Sequence, residues 1–364
     1  MKNCYSAALS AAAFIATPAF AADMEQPSGQ PPLAVIAQDN LGNAGLLRSY
    51  FDSDQFGSVQ WRVGQGRLTI GAAASSGLPY SRHRDGTTDT VVPVNTLFGL
   101  PDGESMIRLG VRGTFPNGAD YLVEQDAGGI GRLELQYMRF LNPGTMWALG
   151  GFLDYTHLDI AGSGDITRQA GGVRADILNE FSDHWGVAAR AEYSWGESDL
   201  KVAAGPGLTL EHKQGDDRFY TQAELIGQFR SDDFGLIPEG WVAHPVIGIQ
   251  FQRSFLESTA DSFGVVSSGV VGDTEDYGTA WAHFRLEKEV PPGGWSPNVL
   301  VGFEHEYVNS LDAVVKEPSY AVFGAGLSTM FGKGNRFEVS YTRHQGLNGD
   351  RWNQAFVGTL TLAF

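Results

Sequence analysis

The chain has 364 residues, and its 42 acidic side chains against 25 Lys and Arg give a formal net charge of −17. Such an acidic surface disfavours nucleic acids and anionic membrane surfaces as partners, so we expect no nucleic-acid role. Cys4 is the only cysteine, which excludes a disulfide framework, and we expect no metal or other cofactor.

The first 21 residues have the layout of a secretory signal peptide. Lys2 gives the positive start, an apolar run covers residues 7–17, and Pro18 ends that run. The run is shorter than the roughly 20 apolar residues that a membrane-spanning helix needs. Small residues at positions 19 and 21 form a cleavage site, so we expect export, with cleavage near Ala21.

Residues 22–103 are less regular than the rest of the chain. Apolar alternation over residues 59–73 changes parity at Gly64 and Gly66, which indicates a bulge or a turn. Residues 91–99 have strand character and precede turn residues at 101–103. This segment is therefore interpreted either as a lead-in or plug, or as the source of two extra strands.

From residue 104 to the end, apolar or small residues alternate with polar or charged ones. In one such segment Leu133 and Leu135 alternate with Arg132 and Glu134. This period is that of a β-strand with one apolar and one charged face. The pattern predicts an all-β fold, namely a closed antiparallel transmembrane β-barrel over residues 104–364. The barrel has twelve strands in this interpretation, or fourteen if residues 22–103 contribute two more. The slightly negative mean hydropathy disfavours a helical membrane protein but fits a barrel.

The connections between these segments alternate in length. Short turns are predicted at residues 142–144, 181–183, 291–294 and 332–334, and longer polar joins at 116–129, 198–216, 256–276 and 309–318. Outer-membrane barrels have short periplasmic turns and longer external loops. If Phe364 lies on the periplasmic side, each of these short turns falls there as well, which favours a membrane barrel over a soluble β-sandwich.

The end of the chain carries a resemblance to known barrels. Residues 321–364, with Tyr341 and the closing Phe364, resemble the end of the autotransporter translocator domain, a bacterial outer-membrane β-barrel. A weaker resemblance to the intimin-type inverse autotransporter barrel rests on residues 92–94, 109–112 and 149–154. Autotransporters place a large passenger before the barrel, whereas here only residues 22–103 stand between the predicted signal peptide and the predicted barrel.

These resemblances imply several expectations. The protein should reside in the outer membrane, surrounded by lipid and lipopolysaccharide. The barrel-assembly machinery should recognise a terminal assembly signal formed by Leu360, Leu362 and Phe364.

The face opposite the apolar one should point into the lumen. Arginine dominates this face in the earlier strands and acidic residues dominate it in the later ones. The alternation predicts either a water-filled polar channel or salt-bridge ladders that fill a narrow lumen. The predicted pore-lining residues are Arg108, Arg112, Arg132, Glu134, Asp154, Arg174, Asp176, Arg190, Glu192, Glu224, Arg285, Glu287, Glu304, Glu306 and Glu338.

Aromatic residues cluster near the predicted strand ends, which favours two girdles at the membrane interfaces over ordinary sheet aromatics. The girdle residues are Trp147, Trp185, Trp241 and Trp295 at the periplasmic ends, and Tyr155, Tyr193, Tyr307 and Tyr341 towards the external ends.

The chain offers little support for catalysis. His157 lies between Asp154 and Asp159 near a predicted rim, but no Ser-His-acid order and no metal-ligand spacing is present. We therefore expect a non-enzymatic barrel that acts as a passive pore or translocator-like channel. The alternative is a surface anchor whose external loops 198–216 and 256–276 bind a partner.

Overall fold

The computed structural model describes residues 85–118, 128–160, 164–268, 272–291, 293–310, 318–332, 335–348 and 351–364. The predicted signal peptide and the irregular segment 59–73 lie outside the described residues. Within the described residues, no helix is long and apolar enough to cross a membrane.

The described residues form strands joined by turns and loops. The strands are β1 (Asp85–Gly99), β2 (Ser105–Gly118), β3 (Gly128–Asn142), β4 (Thr145–Ile160), β5 (Gly164–Ser182), β6 (Trp185–Gly205), β7 (Leu208–Gly227), β8 (Trp241–Leu256), β9 (Thr259–Ala260), β10 (Val266–Ser267), β11 (Thr274–Lys288), β12 (Trp295–Asn309), β13 (Ser319–Phe331), β14 (Asn335–Gly346) and β15 (Arg351–Ala363).

All of these strands except β9 and β10 close into a single barrel. The predicted all-β closed barrel is confirmed, and every alternating segment from Ser105 onwards is a strand. The strand count differs, because the described barrel has 13 strands rather than twelve or fourteen. The additional strand is β1, so the described part of the barrel begins at Asp85, earlier than the predicted residue 104.

An odd number is allowed because β1 pairs with β15 in parallel, while it pairs with β2 in the usual antiparallel way. An even count is required only when the closing pair is antiparallel. Val92 and Pro93 have no paired partner on β15, although the register of the two strands is the same before and after them. Pro93 has no N–H to donate to a neighbouring strand.

Apolar side chains point outwards from the barrel wall, as the alternation predicts. Leu135 is 58% exposed and Val301 is 56% exposed, whereas Glu134 and Glu304 beside them are only 6% and 4% exposed. A wall that is apolar outside and polar inside suits a barrel surrounded by lipid.

The two ends of the barrel differ. One end, called here the short-turn end, carries Phe364 and the connections 100–104, 143–144, 183–184, 228–240, 289–294 and 332–334. All of the predicted short turns lie there. In the connection 100–104 the Ser105 hydroxyl donates to Asp102 at 2.7 Å, and this hydrogen bond lowers the pKa of Asp102.

The opposite, long-loop end carries a folded extension. Strands β5, β6 and β7 have 19, 21 and 20 residues, well beyond the roughly 9–11 that cross a bilayer. The segment predicted as the loop 198–216 is therefore mostly the outer part of a hairpin, joined at residues 206–207 where Gly207 has φ of 74°. Strands β9 and β10 form a small separate hairpin beside it.

Candidate functional site

The inner wall of the barrel carries the predicted pore-lining residues. All fifteen lie on the inward face of their strands. Eleven are buried: Arg108, Arg132, Glu134, Arg174, Asp176, Arg190, Glu192, Glu224, Glu304, Glu306 and Glu338. The other four, Arg112, Asp154, Arg285 and Glu287, are partly buried. That these residues line a conducting path stays a prediction.

Glu134 on β3 is the centre of the ionic network in the earlier strands. Its carboxylate accepts hydrogen bonds from Arg108 at 2.6 Å, from Arg132 at 2.5 Å and from Arg174 at 2.8 Å. The side chains of all four residues are no more than 7% exposed. One carboxylate therefore joins guanidinium groups from β2, β3 and β5.

Asp176 extends this network towards β6. It accepts hydrogen bonds from Arg174 at 2.7 Å and from Arg190 at 2.8 Å, while Arg132 donates to Glu192 at 2.8 Å. The arginines of the earlier strands are thus neutralised by acids of the same strands. They do not form an arginine wall that faces the later acids across the lumen.

Two inward glycines leave room for large side chains of the inner wall. A Cβ at Gly150 on β4 would lie 2.6 Å from Cγ of Gln136, between β3 and β5. At Gly172 on β5 a Cβ would lie 2.4 Å from the ring of Phe152. The guanidinium group of Arg132 lies over the Phe152 ring, 3.7 Å from its centroid. The packing of Arg132 therefore depends on a ring that needs a glycine beneath it.

The later strands use different partners for their acids. His344 lies 3.1 Å from Glu304, the Tyr277 hydroxyl donates to Glu306 at 3.0 Å, and Arg336 donates to Glu338 at 2.9 Å. Inward glycines again lie beneath large side chains, because a Cβ at Gly248 would lie 2.2 Å from Trp281 and one at Gly302 would lie 2.3 Å from His283. This half of the wall is polar with few guanidinium groups.

Sequence reasoning missed two parts of the inner wall. Arg168 and Asp216 form a further buried ion pair at 3.2 Å, nearer the long-loop end. At the short-turn end of β1 to β7 an inward apolar layer replaces the charges, and it is built from Leu97, Met106, Met138, Phe140, Met146, Ala148, Leu178, Ala188 and Ile226. The signal was in the sequence, since Met138 and Phe140 continue the inward parity of Glu134 and Gln136.

The predicted girdle residues lie where the alternation placed them, on the outward face. Trp185, Trp241 and Trp295 are the first residues of β6, β8 and β12, and Trp147 is the third of β4. Trp147 contacts Tyr137 at 5.5 Å between ring centroids. Tyr155, Tyr193, Tyr307 and Tyr341 lie further towards the long-loop end of their strands. This placement is the one that two interface girdles require.

The terminal residues take part in barrel closure. Phe364 donates its N–H to the carbonyl of Leu97 at 2.9 Å and accepts from the N–H of Gly99 at 3.0 Å. Its ring stacks on Phe98 with centroids 5.9 Å apart. Leu360 and Leu362 share its outward face on β15.

The rim histidine shows an ordinary polar contact. Nδ1 of His157 lies 3.2 Å from the Thr167 hydroxyl on the neighbouring strand. Among the residues that the structure describes, no group of three or more His, Cys, Asp or Glu side chains is arranged to hold a metal ion.

Residues 118–342 match the Autotransporter beta-domain family. The chain belongs to this family. No curated protein sequence matches the chain. The predicted resemblance to autotransporter translocator barrels is confirmed, and with it an outer-membrane location.

One solved structure supports the fold, and two others are similar to this chain more distantly. The translocator domain of the autotransporter NalP from Neisseria meningitidis has 12% identity and a TM-score of 0.51, with 84% of this chain and 94% of that chain covered. The beta domain of the Bordetella autotransporter BrkA gives 18% identity and a TM-score of 0.48, covering 63% and 88%. The transport unit of AIDA-I from Escherichia coli gives 11% identity and 0.39, covering 80% and 97%.

Family membership assigns the two ends of the barrel. Short turns face the periplasm in outer-membrane barrels, so the short-turn end is periplasmic and the long-loop end is external. Strand β1 then runs from the external end to the periplasmic end, because its last residue, Gly99, lies beside Phe364. Asp85, the first described residue of the barrel, therefore lies at the external end.

Proposed function

We propose that this barrel is a translocator-like channel that delivers the chain preceding Asp85 to the external face of the outer membrane. The observation that carries the proposal is the direction of β1. Because the barrel is entered from its external end, the preceding segment has to cross the membrane during biogenesis. Membership of the Autotransporter beta-domain family supports the same proposal, that the barrel acts in translocation. The proposed function is non-enzymatic.

The inner wall suits the passage of an extended polypeptide. Its arginines and carboxylates are held against the wall by one another, with inward glycines beneath the larger side chains. Such a wall offers paired charges rather than isolated ones, so a passing chain meets no deep electrostatic trap. The surroundings that we propose are outer-membrane lipid and lipopolysaccharide, with the barrel-assembly machinery acting on Leu360, Leu362 and Phe364.

The proposal can be tested by finding on which side of the outer membrane the residues before Asp85 lie. An epitope inserted between Ser53 and Asp54 should bind antibody on intact cells. The matched control places the same epitope between Gly235 and Leu236, in the 228–240 connection at the periplasmic end. This control should bind only after the outer membrane is permeabilised. Protection of the first epitope on intact cells would refute the proposal.

Passive conduction is a separate property of the same lumen. Steady conductance of the purified protein in a planar bilayer would support a water-filled path. Silence would support a lumen filled by the ionic network and the apolar layer. The double substitution Glu304→Gln and Glu306→Gln should shift a conducting barrel towards anions, because two acids leave the later strands.

The folded extension favours a second candidate function, a surface anchor that binds a partner. Loops predicted to be separate, 198–216 and 256–276, are joined in the structure. The N–H of Glu257 donates to the carbonyl of Gly215 at 3.0 Å, and the N–H of Ser262 donates to the carbonyl of Glu211 at 2.9 Å. A loop that is tied to a rigid hairpin is suited to binding, since little order is lost on contact.

A further inference from the structure

The outermost part of the barrel is one built surface, called here the outer platform and defined as residues 197–215 and 257–268. Its core is the β6–β7 hairpin, whose outer part is paired from Glu197 opposite Gly215 to Gly205 opposite Leu208. Segment 257–262 lies along the free side of β7. Besides the two backbone hydrogen bonds given above, the Thr259 hydroxyl donates to the carbonyl of Lys213 at 2.8 Å, and its oxygen lies 2.9 Å from Nε2 of His212.

A tight turn fixes the tip of this surface. Oδ1 of Asp261 accepts hydrogen bonds from the N–H groups of Phe263 at 2.8 Å and Val265 at 3.0 Å. The backbone of Asp261 exchanges two further bonds, from its N–H to the carbonyl of Val265 and from the N–H of Gly264 to its own carbonyl, both at 2.9 Å. Gly264 has φ of 80°, a conformation that favours glycine. The turn is therefore held in one conformation before any partner arrives.

The tip presents apolar side chains to water. Phe263, Val265 and Val266 are 51%, 59% and 66% exposed, and Leu208 at the end of the β6–β7 hairpin is 54% exposed. These residues lie outside the bilayer-spanning part of the barrel, so lipid does not explain their exposure. Apolar groups gathered on an ordered, solvent-facing surface mark an interaction site.

The net charge of the platform indicates which kind of partner can bind it. It contains five acids, Glu197, Asp199, Glu211, Glu257 and Asp261, against Lys201 and Lys213, which leaves a net charge of −3. Lys213 pairs with Glu197 at 2.5 Å, which raises the pKa of Lys213, and Lys201 lies 3.8 Å from Asp199. The excess negative charge is therefore carried by Glu211 and Glu257 along the platform and by Asp261 in the turn at its tip.

Two occupants are disfavoured by this charge. A second copy of the chain would bring a like-charged surface against it, and the phosphates of lipopolysaccharide would be repelled in the same way. A partner surface that carries cationic side chains beside aliphatic ones would complement both the negative charge of the platform and its exposed apolar side chains.

We propose that the outer platform binds a peptide or protein segment that presents basic and aliphatic side chains together. The inference rests on the second candidate function and names its class of partner. It is independent of translocation, because the epitope experiment at Ser53 reads membrane sidedness and involves no platform residue. The two can therefore fail separately.

The test uses the full chain in nanodiscs of zwitterionic lipid, with empty nanodiscs as background. The probe is a fluorescein-labelled 12-residue peptide of Lys and Leu, compared with the same peptide carrying Glu in place of Lys. Anisotropy should show binding of the Lys peptide, weakening as salt rises because charges at an exposed surface are screened. The Glu peptide should not bind.

Matched substitutions locate the contact. Val266→Ser and Glu211→Gln should each weaken binding by about fivefold, a factor that corresponds to the loss of one apolar contact or one exposed charge at an interface. Leu236→Ser and Glu239→Gln, exposed residues at the periplasmic end, should leave it unchanged. If the Val266→Ser protein does not form a heat-modifiable barrel, Val265→Ser is used in its place.

Three results would overturn the proposal. Equal binding of both peptides would remove the role of charge. An equal loss in the Leu236→Ser variant would place the contact elsewhere. Self-association in detergent that Val266→Ser abolishes would assign the platform to a second copy of the chain.

Discussion

At the scale of single residues, Glu134 is the most consequential side chain of the inner wall. It is buried and accepts from Arg108, Arg132 and Arg174 together. Glu134→Gln would leave three buried guanidinium groups short of one counter-charge, and removal of one partner from a buried ion pair costs about 3–5 kcal/mol. We therefore expect a clear drop in the urea midpoint of the barrel refolded in liposomes.

The control for that change is an exposed pair. Glu197→Gln breaks the contact with Lys213, in which both side chains are more than half exposed. Exposed ion pairs contribute little to stability, so the urea midpoint should stay the same. If Glu134→Gln also left the midpoint unchanged, the network would not hold the wall together.

A second residue-scale prediction concerns the glycines beneath the network. In Gly150→Ala the new Cβ would lie 2.1 Å from the carbonyl oxygen of Leu135 and 2.6 Å from Cγ of Gln136. Overpacking of this kind costs about 1–3 kcal/mol, and here it also displaces Gln136, whose amide donates to Asp176 on β5. Gly358→Ala, which meets nothing within 4 Å, is the matched strand substitution. Heat-modified and unmodified bands on a gel should show less folded Gly150→Ala protein, while equal folding of the two variants would contradict the steric argument.

The facing of individual residues could be predicted from sequence because strand alternation has a period of two. Arg132 and Glu134 were placed inwards on that basis, and both are. Their partners could not be predicted, because Glu134 meets Arg174 across the intervening strand β4. That contact depends on the register of three strands, which alternation within one strand does not encode.

At the scale of strands, the seam between β1 and β15 is the distinctive feature of this barrel. It is the only parallel pair among the described barrel strands, and Val92 and Pro93 have no paired partner in it. Parallel pairs are slightly less stable per residue than antiparallel ones. The seam is therefore expected to be the weakest junction in the described wall.

Disulfide trapping tests this closure, and the background is favourable because Cys4 is the only native cysteine. Val94 and Leu360 are neighbours in the parallel register, so cysteines at these positions should cross-link under mild oxidation. Cysteines at Val111 and Leu360 should not, because Val111 on β2 lies one strand further away, about 10 Å, beyond the reach of a disulfide. Cross-linking of the second pair and not the first would indicate a twelve-stranded barrel without β1.

Sequence reasoning about strands succeeded where segments had both a period and a turn signal. The connections at residues 142–144 and 332–334 follow from their Pro and Gly residues. The outer parts of β6 and β7 were predicted as a long polar loop, because charged residues and the Gly205-Pro206-Gly207 run are typical of a loop. A hairpin that projects into water has no lipid to favour an apolar face, so the signal that reveals the membrane-spanning part disappears there.

At the scale of the whole molecule, the barrel depends on lipid to solvate its outer face. Val301 lies mid-way along β12 and points outwards. Val301→Arg should cost about 2–4 kcal/mol in liposomes, whereas Leu141→Arg, at the periplasmic end of β3, should cost about 0–1 kcal/mol because the penalty falls near the interface. Gly302→Ser is not a neutral comparison, since a Cβ there would lie 2.3 Å from His283. Equal folding of the Val301 and Leu141 variants would contradict the assignment of the lipid face.

Phe364 contacts β1 where the barrel closes, and it is also the last residue of the predicted assembly signal. Its deletion removes two backbone hydrogen bonds to β1 and the stacking on Phe98, but leaves the register from Asp85 to Leu97 with β15 in place. The truncated chain should therefore still fold into liposomes, with a lower urea midpoint. In cells it should be degraded in the periplasm with little heat-modifiable barrel, because the predicted assembly signal is lost. Failure in both settings would make Phe364 purely structural, and normal outer-membrane yield would show that its resemblance to a signal is accidental.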